Sequence, residues 1–213
     1  MIGRFLSRIF LALLGWKIKV NESIPKKDLN RCILIAVPHT SNWDQPLMVA
    51  AMKMLRVPFR YTIKREWLRA PLGWFIRMTG GIGIDRRPKV EGQERPSMVE
   101  AIADLFGNDA QIAIVIPPEG TRSLRTEWKM GFYYIAQKAN VPICFGYLDY
   151  KTKEAGIGGV LYPTGDLDAD MQQIIAFYKN ISAKFPEKFS FDHRYLPKTD
   201  DEQNLATPLP EEE

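Results

Sequence analysis

The chain has 213 residues, of which 46% are apolar and 25% are charged. This length suits one domain with a sizeable core, and the composition is that of a globular protein and excludes wholesale disorder. The two cysteines, Cys32 and Cys144, lie in apolar runs. Neither their spacing nor their number suggests a disulfide framework or a metal site, so we expect two small buried residues in a reducing compartment.

The net charge of +4 is unevenly distributed along the chain. Residues 200–213 contain six acidic residues and no Lys or Arg, so this stretch contributes −6 and the rest of the chain carries +10. Its prolines and low apolar content predict a disordered acidic tail. The positive remainder indicates an anionic partner, which the charge alone leaves open as nucleic acid, anionic lipid or a phosphorylated substrate.

Residues 1–20 contain no uncharged apolar stretch of the roughly 20 residues that a membrane-spanning helix needs. On a helix, most apolar side chains of this segment fall on one broad face, made of Phe5, Leu6, Ile9, Phe10, Leu13, Leu14 and Trp16. The opposite face carries Arg4, Ser7, Arg8 and Gly15, with Leu11 intruding. We therefore expect residues 1–20 to form an amphipathic helix at an anionic membrane surface; the alternative is a core helix docked on the domain.

Strands alternate with helices in the rest of the chain. Apolar runs predict strands over residues 31–37, 59–63, 82–84, 111–116 and 142–148. Helical spacing predicts helices over residues 42–55, 66–79, 96–106, 131–140 and 168–185. The alternation predicts a single α/β domain over residues 21–199, with a mainly parallel or mixed central sheet flanked by helices. Loops at the carboxyl ends of such strands are the expected place for a functional site.

His39 and Asp44 are the first candidate catalytic residues, in a loop that follows the first predicted strand. Five residues apart on a regular helix, the two side chains would face apart, so they can meet only if His39 lies in the loop and Asp44 in the first helical turn. An aspartate on one imidazole nitrogen would orient the ring and leave the other nitrogen free as a general base. The alternatives are that this spacing arises by coincidence or that Asp44 caps the helix.

Three basic groups, each after a predicted strand, are candidates for binding a phosphate. The strongest is the loop Glu119–Arg122, where Gly120 permits an unusual backbone, Arg122 offers a bidentate fork and Thr121 adds a hydroxyl. The other two are Arg86 with Arg87, and Lys64 with Arg65. Each group taken alone could be a solvated surface turn.

Together these motifs resemble the phospholipid/glycerol acyltransferase family, which contains the 1-acylglycerol-3-phosphate acyltransferases. The resemblance covers residues 31–150 in four ordered blocks: His39-Thr-Ser-Asn-Trp-Asp44; Lys64 with Gly81-Ile-Gly-Ile-Asp85-Arg86-Arg87; Pro118-Glu-Gly-Thr-Arg-Ser123; and Val141-Pro142-Ile143. One departure is Pro117, where the family commonly has an aromatic residue.

The resemblance implies an enzyme of phospholipid biosynthesis that acylates a lysophospholipid or glycerol phosphate. His39 would be the general base and Asp44 its orienting partner, with Glu119, Gly120, Thr121, Arg122, Arg86, Arg87 and Lys64 binding the substrate. The acyl donor would be acyl-CoA or acyl-carrier protein, a co-substrate and not a cofactor, and transfer would be direct, without an acyl-enzyme. Backbone amides are the expected oxyanion stabilisers. We expect peripheral or monotopic association with the cytoplasmic face of a membrane.

Two other functions fit parts of the sequence. A non-catalytic protein that binds anionic lipid would explain the positive charge and the basic helix, whereas a nucleic-acid binder is disfavoured because no aromatic residues are interleaved with the basic ones. A lipid esterase or thioesterase in which His39 activates water would need almost the same residues.

Overall fold

The structure, a computed structural model, describes residues 2–69, 71–84, 97–108 and 110–196. The helices are α1 (Ile2–Leu13), α2 (Lys26–Asn30), α3 (Asp44–Leu55), α4 (Leu72–Met78), α5 (Met98–Asn108), α6 (Gly131–Ala139) and α7 (Leu167–Tyr178). The strands are β1 (Lys17–Val20), β2 (Arg31–Ala36), β3 (Phe59–Lys64), β4 (Gly81–Ile84), β5 (Ile112–Ile116), β6 (Ile143–Asp149) and β7 (Glu154–Leu161). The predicted acidic tail lies outside the described residues.

The strands form one sheet of seven strands in the order β1-β7-β6-β2-β5-β3-β4. Neighbours are parallel except β6 and β7, which form an antiparallel pair. The predicted α/β class with a mainly parallel or mixed sheet is therefore confirmed. Because β6, β2 and β5 are adjacent and parallel, the loops that follow them emerge at the same edge of the sheet.

Both faces of the sheet are covered by helices. Along β2, Ile33 and Ile35 point into one buried cluster with side chains of α5, α6 and α7. Cys32 and Leu34 point into the other cluster, with side chains of α1 and α3. Continuous burial of the strand explains why its sequence is a run of apolar residues and not an alternation. Both cysteines are buried free thiols, as the sequence predicts.

Three predicted elements are corrected by the structure. Residues 17–20 do not continue the first helix: Gly15 adopts a φ of +73°, and Lys17–Val20 then pair with β7. The predicted helix over 66–79 is divided into a short 3-10 helix, Arg65–Leu68, and α4, because Pro71 has no N–H for a continuous helix. The predicted helix over 168–185 ends at Tyr178.

Two strands, β1 and β7, were not predicted from the sequence, one because it is short and the other because it is rich in glycine. β1 has only four residues, and alternate ones, Ile18 and Val20, are half-buried. β7 contains three glycines, a residue depleted in strands. At Gly159 the glycine is required by packing, because an added Cβ would lie 2.5 Å from the ring of Phe145.

Helix α1 docks on α3 through an unexpected side. Leu11, which interrupts the predicted polar face, is 2% exposed and belongs to the core, whereas Leu13 on the predicted apolar face is 82% exposed. Phe5, Leu6 and Ile9 are also exposed. Leu11 is therefore the docking residue, and an apolar strip of α1 faces away from the domain.

Truncating these two leucines should have opposite consequences for stability. Leu11→Ala should lower the free energy of unfolding by about 2–5 kcal/mol, because it leaves a cavity under α1. Leu13→Ala should change it by less than about 0.5 kcal/mol, because its side chain is already in solvent. Urea unfolding of both variants tests this, and equal losses at the two positions would contradict the observed docking.

Candidate active site

The carboxylate of Asp44 organises the loop between β2 and α3. Its Oδ2 atom accepts hydrogen bonds from the Nδ1 of His39 at 3.2 Å, the Thr40 N–H at 2.9 Å and the Ser41 N–H at 2.8 Å. Asp44 is the first residue of α3 and His39 lies in the loop, so the predicted placement of the pair is confirmed. The loop begins after a cis Val37–Pro38 peptide.

The hydrogen bonds of Asp44 determine which nitrogen of His39 carries the proton. Oδ2 already accepts from two amides, so it acts as an acceptor towards Nδ1, and Nδ1 is the protonated nitrogen. No described residue hydrogen-bonds the Nε2 atom of His39, and the side chain is 19% exposed. This arrangement leaves Nε2 with a lone pair that can accept a proton from a substrate.

Tyr150 is a further member of this cluster that the sequence did not reveal. It follows β6, and its hydroxyl donates a 2.6 Å hydrogen bond to Oδ1 of Asp44. Burial and this bond raise the pKa of the Tyr150 phenol far above its usual range, so it remains a donor. The ring also packs edge-on against Trp16, with centroids 5.0 Å apart. A polar residue just after a predicted strand was the signal available for finding it.

Glu119 lies in the loop between β5 and α6, called the second loop here, and bonds directly to the loop between β2 and α3, called the first loop. Its Oε1 accepts the backbone N–H of His39 at 2.9 Å, which connects residues eighty positions apart. Oε2 is buried without a hydrogen-bond partner among the described residues. Burial raises the pKa of the Glu119 carboxyl from 4.5 to about 7, with the bond from His39 acting in the opposite direction. Near neutral pH the group therefore exists partly as the uncharged acid.

The rest of the second loop turns from the core towards solvent. Gly120 has a φ of +67°, and a Cβ there would press against the Lys129 side chain at 3.2 Å. Thr121 is half-buried, and its Oγ1 accepts the Ser123 N–H. Arg122 is exposed. A glycine at this corner thus lets the chain reverse so that Arg122 projects where a ligand can reach it.

A cleft of about 540 Å³ lies beside the His39–Asp44 pair. His39 does not line it, but the residues that follow do, and Arg122 is on the wall formed by the second loop. A third wall comes from Phe185 and Lys188, after α7, in a region where the sequence predicts no site. The volume is within the range of small-molecule sites.

The other three predicted substrate contacts lie partly or wholly outside the residues that the structure describes. Lys64 is the last residue of β3, and its side chain is outside what the structure describes. Arg86 and Arg87 lie outside the described residues. The structure therefore brings together His39, Asp44 and Glu119 in direct hydrogen bonds, with Arg122 on the neighbouring cleft.

Four backbone amides of the loop between β2 and α3 already donate hydrogen bonds within the protein. The N–H of His39 donates to Glu119, and those of Thr40 and Ser41 donate to Asp44. The Trp43 N–H donates to the Ser41 hydroxyl. An oxyanion formed beside His39 would therefore need donors other than these four groups.

The family model described as Acyltransferase matches residues 17–144, which include both loops. The chain belongs to this acyltransferase family. Over 144 residues it is 30% identical to a 1-acyl-sn-glycerol-3-phosphate acyltransferase from Streptococcus pneumoniae (strain ATCC BAA-255 / R6), a match that covers 64% of this chain. It covers 50% of that relative, so the chain spans about half of the curated protein's length.

A solved structure is similar to this chain in its fold. The structure of the 1-acyl-sn-glycerophosphate (LPA) acyltransferase PlsC from Thermotoga maritima superposes with a TM-score of 0.52, at 16% identity. The match covers 82% of this chain and 74% of the other. The acyltransferase family model ends before Tyr150, Phe185 and Lys188, so these three residues lie beyond the matched region.

The buried acid of Glu119 gives a testable pH dependence. Between about pH 4.5 and 7 the folded protein holds a proton on Glu119 that the unfolded chain has released, so this group lowers stability as pH rises. Replacing it with the uncharged amide in Glu119→Gln removes this effect. The free energy of unfolding of the variant relative to the parent should increase by about 3 kcal/mol over that range.

Denaturant unfolding at a series of pH values measures this difference. Glu127→Gln, at an exposed position of the same loop, is the matched control and should not reproduce the trend. A pH-independent difference between Glu119→Gln and the parent would show that folding does not raise the pKa of the carboxyl.

Proposed function

We propose that the protein transfers a fatty acyl group from a thioester to a hydroxyl of a lysophospholipid or of glycerol phosphate. The donor is acyl-CoA or acyl-carrier protein. The observation that carries the proposal is the His39–Asp44 hydrogen bond, which leaves Nε2 free to accept a proton beside a cleft bordered by Arg122. Membership of the acyltransferase family and the name of the Streptococcus pneumoniae relative support the same reaction class.

In this mechanism His39 acts as base and then as acid. Its Nε2 removes the proton of the acceptor hydroxyl as the oxygen attacks the thioester carbonyl carbon, which gives a tetrahedral oxyanion. Collapse breaks the carbon–sulfur bond, forms the ester and returns the proton from His39 to the departing thiolate. Asp44 stabilises the imidazolium between the two steps, as in other His–Asp pairs. No acyl-enzyme is required, and no Gly-x-Ser-x-Gly nucleophile is present in the sequence.

Replacing the base tests the reaction. His39→Ala should lower the rate of ester formation about 10²–10⁴-fold, the contribution typical of general-base catalysis. His193→Ala is the matched control, because His193 is the second of the two histidines in the sequence. Its side chain is exposed and forms a hydrogen bond with the Ser190 hydroxyl. It should keep the parental rate.

The assay follows labelled acyl thioester with and without a lysophosphatidate or glycerol 3-phosphate acceptor. Full ester formation by the His39→Ala variant would contradict the assignment of the base. Release of free fatty acid at the same rate with or without acceptor would identify a hydrolase instead.

We further propose that α1 lies on an anionic membrane surface, the place where such acceptors reside. Phe5, Leu6, Ile9 and Leu13 expose an apolar strip, and the exposed Arg4 and Arg8 can approach headgroups. Trp67 and the α4 side chains of Trp74, Phe75 and Met78 are a second exposed apolar group. Among the described residues, no helix has the length and apolarity to cross a bilayer.

A charge placed in the strip should weaken membrane binding. Leu13→Glu should reduce co-sedimentation with vesicles of phosphatidylcholine and phosphatidylglycerol, because a carboxylate replaces an inserted apolar side chain. Tyr134→Glu puts the same charge on α6, on the opposite face of the sheet, and should leave binding unchanged. Equal vesicle binding by Leu13→Glu and the parent would contradict membrane binding through α1.

A further inference from the structure

The segment after α7, residues 182–196, returns across the carboxyl edge of the sheet and is called the strap here. It is fixed to the first loop by the Phe185 N–H, which donates to the Thr40 hydroxyl at 3.3 Å. It is fixed to the end of β6 by the Ser182 carbonyl, which accepts the Tyr150 N–H at 3.0 Å. The strap is therefore held at the active-site edge by residues adjacent to the His39–Asp44 pair.

A buried aspartate fixes the strap to the second loop as well. Asp192 is fully buried and accepts the Trp128 N–H at 2.8 Å, together with the side chain of Arg194. The Arg194 guanidinium also donates to the Trp128 carbonyl at 2.8 Å. The strap is thus attached to both active-site loops, and its middle part stands as a wall of the cleft between them.

Lys188 is the cation that this wall presents to the cleft. Its ammonium lies 4.6 Å from the centre of the Phe185 ring, a favourable cation–π distance that limits where the long side chain can go. Arg122 lines the same cleft from the second loop. Among the described residues, no carboxylate pairs with either cation.

The neighbouring lysine of the strap is placed differently. The ammonium of Lys184 lies over the rings of Trp43, Tyr150 and Phe185, at 5.3–5.8 Å from their centres. It does not line the cleft. Lys184 is therefore engaged by aromatic faces, while Lys188 is the strap lysine available to a ligand.

We propose that Lys188 is a second cationic contact for the acceptor's phosphate, in the same cleft as Arg122, and that Phe185 positions it. This inference rests on the proposed acyl transfer, since it concerns the acceptor of that reaction. Arg122 offers a planar fork for two phosphate oxygens, and Lys188 adds a point charge from another wall. Two cations favour a phosphomonoester, which carries nearly two negative charges at neutral pH, over a phosphodiester, which carries one.

Kinetics with Lys188→Gln test this role. The acceptor KM should rise about tenfold for lysophosphatidate, the loss expected when one charged contact to phosphate is removed, while kcat and the donor KM keep their parental values. The preference for lysophosphatidate over a phosphodiester lysolipid should fall by a similar factor. Lys188→Arg, which keeps the charge, should restore most of the acceptor KM. Lys27→Gln removes the same charge from α2, which precedes β2 and lies at the opposite edge of the sheet, and should leave every constant unchanged.

A binding measurement without a donor separates this inference from the proposed function. Calorimetric titration of the full chain with glycerol 3-phosphate should show weaker binding for Lys188→Gln than for the parent. If the parent transfers acyl groups but Lys188→Gln has the parental acceptor KM, or raises both KM values equally, the role of Lys188 is overturned and the transfer reaction stands. If the parent acylates no acceptor while still binding glycerol 3-phosphate through Lys188, the transfer reaction is overturned and the phosphate contact stands.

Discussion

The structure of the candidate active site depends on the carboxylate of Asp44. It is 5% exposed, and burying a charge is costly unless hydrogen bonds compensate. Four donors do so: the His39 ring, two loop amides and the Tyr150 hydroxyl. Hydrogen bonds to a charged group contribute about 1.5–3 kcal/mol each, which offsets the desolvation and fixes the turn from β2 into α3. The same bonds orient His39, so folding of the loop and positioning of the proposed base have one cause.

The strand order explains how residues distant in sequence meet around this carboxylate. β2 lies between β6 and β5, all three parallel, so each strand delivers one loop to the same edge. The β2 loop carries His39 and Asp44, the β5 loop carries Glu119 and Arg122, and the end of β6 carries Tyr150. The strap then covers this edge from α7. Glu119 in the β5 loop and Asp44 at the start of α3 accept hydrogen bonds from the amides of the β2 loop, which explains why those amides are not free for an oxyanion.

Much of this arrangement was predictable because its signals are local. Buried strands such as β2 and β5 are continuous apolar runs, and the His39–Asp44 spacing admits a contact in only one geometry. The elements that escaped prediction depend on tertiary contacts. Gly159 lies in a strand because Phe145 occupies the space of a side chain. Residues 179–185 depart from the predicted helix because Ser182 bonds the end of β6. The helical pattern puts Leu11 on the predicted polar face, because the sequence cannot show which side of α1 contacts α3.

In the proposed mechanism Asp44 holds His39 with its Nε2 unprotonated and available as a base. Nitrogen NMR of the imidazole groups reports the tautomer directly, and a His193→Gln variant assigns the two histidine signals. The neutral His39 ring should carry its proton on Nδ1, and this preference should be lost in Asp44→Asn. A neutral His39 protonated on Nε2 in the parental protein would contradict this mechanism, because Nε2 could then no longer accept a proton.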